Sequence, residues 1–203
     1  MPNPDAAKPP RIGVLALQGD FAAHAQALKE SGAEPVEVRK PSQLEGLDGL
    51  ILPGGESTTL LKFLERDGFL ESLQRFLAEK PAFGTCAGCI LLARHVSHPP
   101  QESLALMDIT VERNAYGRQI DSAIQTGETK LPGGPLEMVY IRAPRIAAVG
   151  DGVEVMAERD GFPVLVRQGR LLAATFHPEL SSDRRVHQLF VNMVRDQSGS
   201  RVA

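Results

Sequence analysis

The stretch 83–89 reads F-G-T-C-A-G-C. It sets one thiol, Cys86, between Gly84 and Gly88, and a second, Cys89, three positions on. A cysteine in a G-x-C-x-G turn between strand and helix can be a nucleophile, as the serine is in G-x-S-x-G hydrolases. Small flanking residues let the backbone bend sharply, and the helix N-terminus favours a thiolate and offers N–H groups to a developing oxyanion. The same letters also spell a redox pair, Cys86-Ala87-Gly88-Cys89. With His95 and His98 they supply four nitrogen and sulfur ligands for zinc, although the five residues before His95 are fewer than the dozen or so of a zinc-finger loop. A fourth reading is a buried structural cysteine, since a free thiol packs as a small hydrophobe. Cys89 is expected to face the core and to serve packing.

A nucleophilic cysteine needs a base, and the chain has five histidines. His24 and His187 fall in expected helices and read as solvated or packing residues, while His95 and His98 fall in a proline-bounded loop. His177 differs, because it follows the apolar run 171–176 and opens His177-Pro178-Glu179. Proline cannot continue a central ladder, so the strand is expected to stop there. In extended backbone, residues two apart point the same way. Glu179 can then accept a hydrogen bond from the His177 ring, fix its tautomer and leave the other nitrogen for a thiol, which is the logic of a nucleophile–base–orienter triad. The competing reading is a strand-end turn with a surface ion pair.

The elements that must position these groups follow from hydrophobic pattern. The runs at 12–17, 35–38, 49–52 and 82–85 read as strands, and 21–30, 57–65, 69–79 and 87–94 as helices. This alternation predicts an α/β fold with an open, mostly parallel central sheet and helices on both faces. Cys86 then falls beyond the carboxyl end of a strand, where such sheets bind ligands. After residue 98 the strand-like segments 106–112, 136–141, 153–158, 163–167 and 171–176 have little helix between them and are expected as added or antiparallel strands on the same sheet. Residues 181–196 read as a closing helix with Val186, Leu189, Phe190 and Met193 on one face.

The 203 residues suffice for one domain with a substantial core. It is expected over 12–196, after a flexible Pro-rich leader (1–11) and before a frayed polar tail (197–203). A formal net charge of −3 gives no electrostatic footprint for nucleic acid. No run approaches the roughly 20 apolar residues of a membrane-spanning helix, and the leader has no apolar signal stretch. Two cysteines three apart do not form a disulfide framework. These features point to a cytoplasmic protein.

The motifs G-V-L-A-L-Q-G (13–19), L-P-G-G-E-S-T-T (52–59), F-G-T-C-A-G (83–88), R-N-A-Y-G-R-Q (113–119) and H-P-E-L (177–180) occur in an order that resembles the class I glutamine amidotransferases. Within them, the sequence resembles the glutaminase subunits of pyridoxal 5′-phosphate synthase, from about residue 12 to about 194. Cys89 stands where an aliphatic residue is expected, and Tyr116 where phenylalanine is usual.

The resemblance implies a flavodoxin-like, amidotransferase-type sheet and a Cys86–His177–Glu179 triad. It places Gly55, Glu56, Ser57, Arg113 and the backbone around Ile141 and Arg142 at the glutamine site. Backbone N–H groups of Gly55 and Ala87 would form the oxyanion hole, and Gln18 would be a partner contact. Glycine lets a backbone N–H reach the substrate oxygen, and arginine can hold an α-carboxylate in a fork of donors. Taken singly, P-G-G-E-S-T-T also reads as a turn and helix cap, with Ser57 or Thr58 satisfying free N–H groups, and Arg113 as a surface arginine. The resemblance implies no cofactor and no metal. It implies release of ammonia from L-glutamine to a separate barrel-shaped synthase subunit that builds pyridoxal 5′-phosphate from ribose 5-phosphate and glyceraldehyde 3-phosphate, with weak activity until the two dock. An amidotransferase subunit feeding another acceptor enzyme, and a redox or non-catalytic module on the same fold, are the rival readings.

Overall fold

The computed structural model describes residues 8–115 and 122–199. Tyr116, Gly117, Arg118 and Gln119, the end of the R-N-A-Y-G-R-Q block, lie outside the described residues, as do leader residues 1–7 and tail residues 200–203. The first half of the chain runs β1 (Arg11–Leu15), α1 (Phe21–Glu30), β2 (Glu34–Val38), β3 (Gly49–Leu52), α2 (Ser57–Arg66), α3 (Phe69–Glu79), β4 (Ala82–Thr85) and α4 (Ala87–Leu92). It continues through β5 (Ala93–Ser97), β6 (Met107–Glu112), β7 (Ser122–Thr129), β8 (Leu136–Ile141), β9 (Arg145–Val149), β10 (Glu154–Arg159), β11 (Phe162–Gln168), β12 (Leu171–Ala174) and α5 (Arg185–Gly199).

Nine strands form one sheet in the order β2-β1-β3-β4-β12-β11-β10-β7-β8. The five strands from β2 to β12 are parallel. Beyond β12 every ladder is antiparallel. The open α/β sheet expected from the alternating pattern is present, and the late, helix-poor half of the chain supplies its antiparallel wing.

The inner parallel strands are buried on both faces and so read as continuous apolar runs, whereas the edge strand β2 is partly exposed. Every residue of β3, β4 and β12 is buried. Ile51, Phe83 and Leu172 face the core shared with Leu28 of α1 and with Val186, Phe190 and Val194 of α5. Their neighbours Leu50, Leu52 and Ala173 face the opposite core, with Leu60 and Leu64 of α2 and Leu73 and Leu77 of α3. The period of two along each strand thus separates two helix layers. Gly68, in the left-handed conformation at φ 72°, ends one helix and opens the next; such a backbone suits glycine.

Three expectations need correction. The segment 106–112 is a strand, β6, but it lies in a separate sheet of order β5-β6-β9. Its cause is α4, which is only six residues long and passes at Ala93 (φ −62°, ψ 143°) straight into β5. No loop carries the chain back to the main sheet, and Ala93 and Arg94, expected as helix, are strand. Met107, Ile109, Val111 and Ile146 then extend the core on the α2–α3 side.

The closing helix begins at Arg185 rather than 181. Pro178–Leu180 form a 3-10 turn, Ser181 Oγ accepts from Asp183 N, and Asp183 Oδ1 accepts from Arg185 N. These side chains satisfy the backbone in turns before the helix starts. At its other end the helix runs to Gly199, past the expected limit of 196. Gln197 Nε2 donates to Glu79 O and Ser198 Oγ to Val194 O, which hold the last turn.

The β7–β8 hairpin is the outermost part of the main sheet. Its two strands pair from Ser122↔Ile141 to Gly127↔Leu136. Its ladder to β10 consists only of Ala157↔Thr129 and Glu158↔Glu128. A second tie comes from His177 N, which donates to Val139 O at 2.8 Å.

Candidate active site

Cys86 occupies the sharp corner between β4 and α4, at φ 48° and ψ −103°. A side-chain-bearing residue seldom adopts a positive φ, and such strain clusters at functional sites. The two flanking glycines make the corner possible. A Cβ on Gly84 would stand 2.5 Å from the Gly88 carbonyl, and one on Gly88 would stand 2.0 Å from Leu52 O. The corner is fixed by Cys86 N donating to Ala174 O at 2.9 Å and by Ile90 N donating to Cys86 O at 3.2 Å. Ala87 is the first residue of α4, so its N–H has no partner within the helix.

His177 leaves the end of β12, the neighbour of β4 in the sheet, so the two strand ends bring Cys86 and His177 together. Both surround Gly54: a Cβ there would lie 2.4 Å from His177 Cε1 and 3.3 Å from Cys86 Cβ. His177 Nδ1 is 2.8 Å from Glu179 Oε1. Nε2 is buried and has no partner at full hydrogen-bond geometry, while the Cys86 thiol is near enough to interact with the ring. Burial disfavours the imidazolium, but Cys86 and Glu179 outweigh it and push the His177 pKa up to about 10. Burial also raises the Glu179 carboxyl, yet His24 and His177 hold it below the ordinary range. The His177–Glu179 contact expected from spacing is therefore present. It arises from a 3-10 turn rather than from extended backbone.

A cavity of about 200 Å3 opens at the thiol. Gly55, Glu56, Ser57, Arg113, Ile141 and Arg142 all line it, beside Cys86 and His177. Ile90 and Asn114, which sequence reasoning did not assign, line it as well. Gly55 sits at φ 136° with the Gln18 amide against it, and Gln18 Nε2 donates to Glu56 O at 2.7 Å. Arg142 has φ 45°, a second strained residue on the rim.

The capping group of α2 differs from the reading that gave it to Ser57 or Thr58. Glu56 is the N-cap, and its carboxylate accepts from Thr58 N at 3.0 Å and Thr59 N at 2.7 Å. Desolvation raises its pKa, but these bonds and those from the threonine hydroxyls prevail and bring it down to about 2. Ser57 instead turns inward and donates to Gln101 Oε1 at 2.7 Å. Arg113 donates to Thr58 Oγ1 at 2.9 Å and Glu56 Oε1 at 3.3 Å. Its side chain is only 14 % exposed, so it is not an ordinary surface arginine. Gln101 was missed because it lies in a polar loop without motif.

His24 and His187 are expected from sequence as packing or solvated residues. Both are fully buried, and His24 stands beside Glu179 with its Nε2 3.3 Å from Oε2. Its place on the buried face of α1, with Ala27 and Leu28, was the available signal.

Cys89 is buried in the core. Burial and the nearby Cys86 both push its thiol pKa up, which suits packing and opposes use as a thiolate. Among the described residues, no group of three or more His, Cys, Asp or Glu side chains is placed to hold a metal ion, and no helix is long and apolar enough to cross a membrane.

A thiol, an imidazole and a carboxylate in line at the carboxyl ends of parallel strands, beside a small cavity, define the class of amidotransferase-like α/β proteins. The chain belongs to the SNO glutamine amidotransferase family, whose model matches residues 14–196. It is 63 % identical over 186 residues to a pyridoxal 5′-phosphate synthase subunit PdxT of Koribacter versatilis, covering 92 % of this chain and 96 % of that protein. It is 51 % identical over 187 residues to the protein of the same name from Geobacillus kaustophilus, covering 92 % and 95 %. A crystal structure described as a glutamine amidotransferase superposes with a TM-score of 0.84 at 47 % identity, covering 91 % of this chain and 98 % of that one. A putative GMP synthase subunit from Thermoplasma acidophilum shares the fold at 17 % identity, with a TM-score of 0.74 over 97 % and 100 % of the two chains.

Proposed function

We propose that this chain is the glutaminase subunit of a pyridoxal 5′-phosphate synthase, a cytoplasmic enzyme that hydrolyses L-glutamine to L-glutamate and ammonia. The observation that carries the reading is the Cys86–His177–Glu179 line opening into a cavity lined by Gly55, Glu56, Ser57 and Arg113. The Cys86 sulfur attacks the side-chain amide carbon of glutamine. The N–H groups of Ala87 and Gly55 hold the oxyanion. His177, oriented by Glu179, protonates the departing nitrogen. Water activated by the same imidazole then cleaves the γ-glutamyl thioester. Arg113 serves the α-carboxylate, and Glu56, Ser57 and the Ile141–Arg142 backbone complete the glutamine site.

Ammonia passes to a barrel-shaped synthase subunit, with Gln18 at the contact. The catalytic domain runs from β1 to α5, residues 11–199, rather than the expected 12–196. Support for the partner comes from the names of the similar proteins. Gln18 touches both Gly55 and Glu56 O, so a partner that engages Gln18 acts next to a proposed oxyanion donor. A misaimed donor stabilises little transition-state charge, which accounts for low activity before docking.

The test is a glutamate-release assay with and without the synthase subunit, for the wild type and Cys86→Ala. Low activity alone, activation by the synthase and no activity in Cys86→Ala are expected. Unchanged hydrolysis by Cys86→Ala overturns the mechanism, and full activity of the isolated chain overturns the docking requirement.

A further inference from the structure

Glu179 is a buried carboxylate with two unlike oxygens. Oε1 holds His177 Nδ1. Oε2 is buried with no bond at full geometry, and His24 Nε2 faces it at 3.3 Å. The same nitrogen is 3.1 Å from Thr85 Oγ1, and His24 Nδ1 is 3.0 Å from His187 Nε2. His24 therefore touches the orienter of the base and the residue that precedes the nucleophile, from a third element, α1.

A carboxylate oxygen can only accept. If Nε2 of His24 carried a lone pair, it would repel Oε2 inside the core, where an unpaired acceptor is costly. With the proton on Nε2, one N–H serves Oε2 and Thr85 Oγ1 together. Nδ1 is then an acceptor, and His187 must donate through its own Nε2–H. This one pair of tautomers places a proton between the two atoms of each short contact from His187 to Glu179, while His187 Nδ1 is left without a partner. Burial also lowers the proton affinity of both rings, so His24 donates a hydrogen bond without cancelling the charge that Glu179 offers to His177.

Resting on the glutaminase reading, we propose that His24 is a positioning residue for catalysis: as the Nε2–H tautomer it holds Glu179 Oε2, so that Oε1 stays aimed at His177 Nδ1. A carboxylate held at one oxygen alone can rotate about its last torsion. Held at both, it keeps the imidazole in one orientation.

The test combines kinetics with nitrogen NMR on the full chain. In the complex with the synthase subunit, His24→Leu is expected to lower kcat about tenfold or more while KM for glutamine changes less than twofold. His24→Gln, whose amide supplies an N–H near the Nε2 position, is expected to recover most of kcat. Equal kcat in His24→Leu and wild type overturns the proposal. So does equal loss in His24→Leu and His24→Gln when both melt like the wild type, because packing alone then explains the loss. Histidine 15N shifts of the wild type need no variant to fold: protonated Nε2 and bare Nδ1 on His24 are expected, and the opposite tautomer overturns the assignment. A wild type without glutaminase activity defeats the functional reading instead, and leaves the tautomer result standing.

Discussion

Gly88 packs so closely on Leu52 that a Cβ at residue 88 would stand 2.0 Å from the Leu52 carbonyl oxygen. The helix that begins behind the thiol thus rests directly on the backbone of β3. Neither partner in this contact is the end of a flexible side chain. Gly88→Ala is expected to destabilise the protein by about 3 kcal/mol or more, read as a lowered midpoint in urea unfolding. A midpoint within error of the wild type would show that α4 can lift from the sheet at little cost.

Cys86 holds φ 48° with a side chain present. Strain of this kind costs about 1–3 kcal/mol, and glycine, which avoids it, gives back about 0.4–1 kcal/mol through the freedom of its unfolded chain. Cys86→Gly is therefore expected to be more stable than Cys86→Ala by about 1 kcal/mol, with both inactive on glutamine. Thermal unfolding of the two variants checks the difference. A less stable glycine variant would mean that the corner is not strained.

Glu56 links stability to pH. Its carboxyl falls from 4.5 to about 2 on folding, so the folded state binds fewer protons than the unfolded state between those values. The stabilisation is fully present above about pH 4.5 and is lost as pH falls through about 2. Removing a helix cap costs about 1 kcal/mol. Glu56→Ala is expected to be less stable by that amount at pH 7, with the gap shrinking between pH 4.5 and 2. Unfolding curves at pH 7 and pH 3 provide the comparison, and a constant gap would assign the effect to contacts other than the charge.

Cys89 separates the nucleophile from the redox pair. Its thiol is fully buried and its proton is held more tightly than in water. Cys89→Ala is expected to retain glutamine hydrolysis and to lose about 1 kcal/mol of stability for the missing core atom. Loss of turnover in a variant that melts normally would revive the C-x-x-C reading.

The parts of this molecule that sequence exposed are those where a local rule and the global fold agree. Helices α2 and α3 were legible because Leu60 and Leu64, and Phe69, Leu73 and Leu77, repeat on one face, with Gly68 between them. The corner at Cys86 was legible because two glycines flank a thiol. β7 was not: Ser122–Thr129 is a largely polar strand next to the edge strand β8, and its Ile124 is 71 % exposed. Its strand character comes from pairing with β8, which local sequence does not display. The second sheet escaped for a similar reason, since strand patterns specify faces but not partners. At the site, the family resemblance supplied most of the residues that line the cavity, but not Ile90 or Asn114. The contacts of His24 and Gln101 escaped, because both are made across the fold by residues whose own neighbourhoods carry no chemical signature.

The bond from His177 N to Val139 O gives one residue two duties. Its ring lies beside the thiol, while its amide ties down the hairpin whose end carries Ile141 and Arg142. Among the described residues the hairpin is also tied by Lys130 N to Met156 O and by Arg185 to the carbonyls of Pro132, Gly134 and Pro135, so the peptide of residue 177 is the one of these anchors that couples the far wall of the cavity directly to the imidazole.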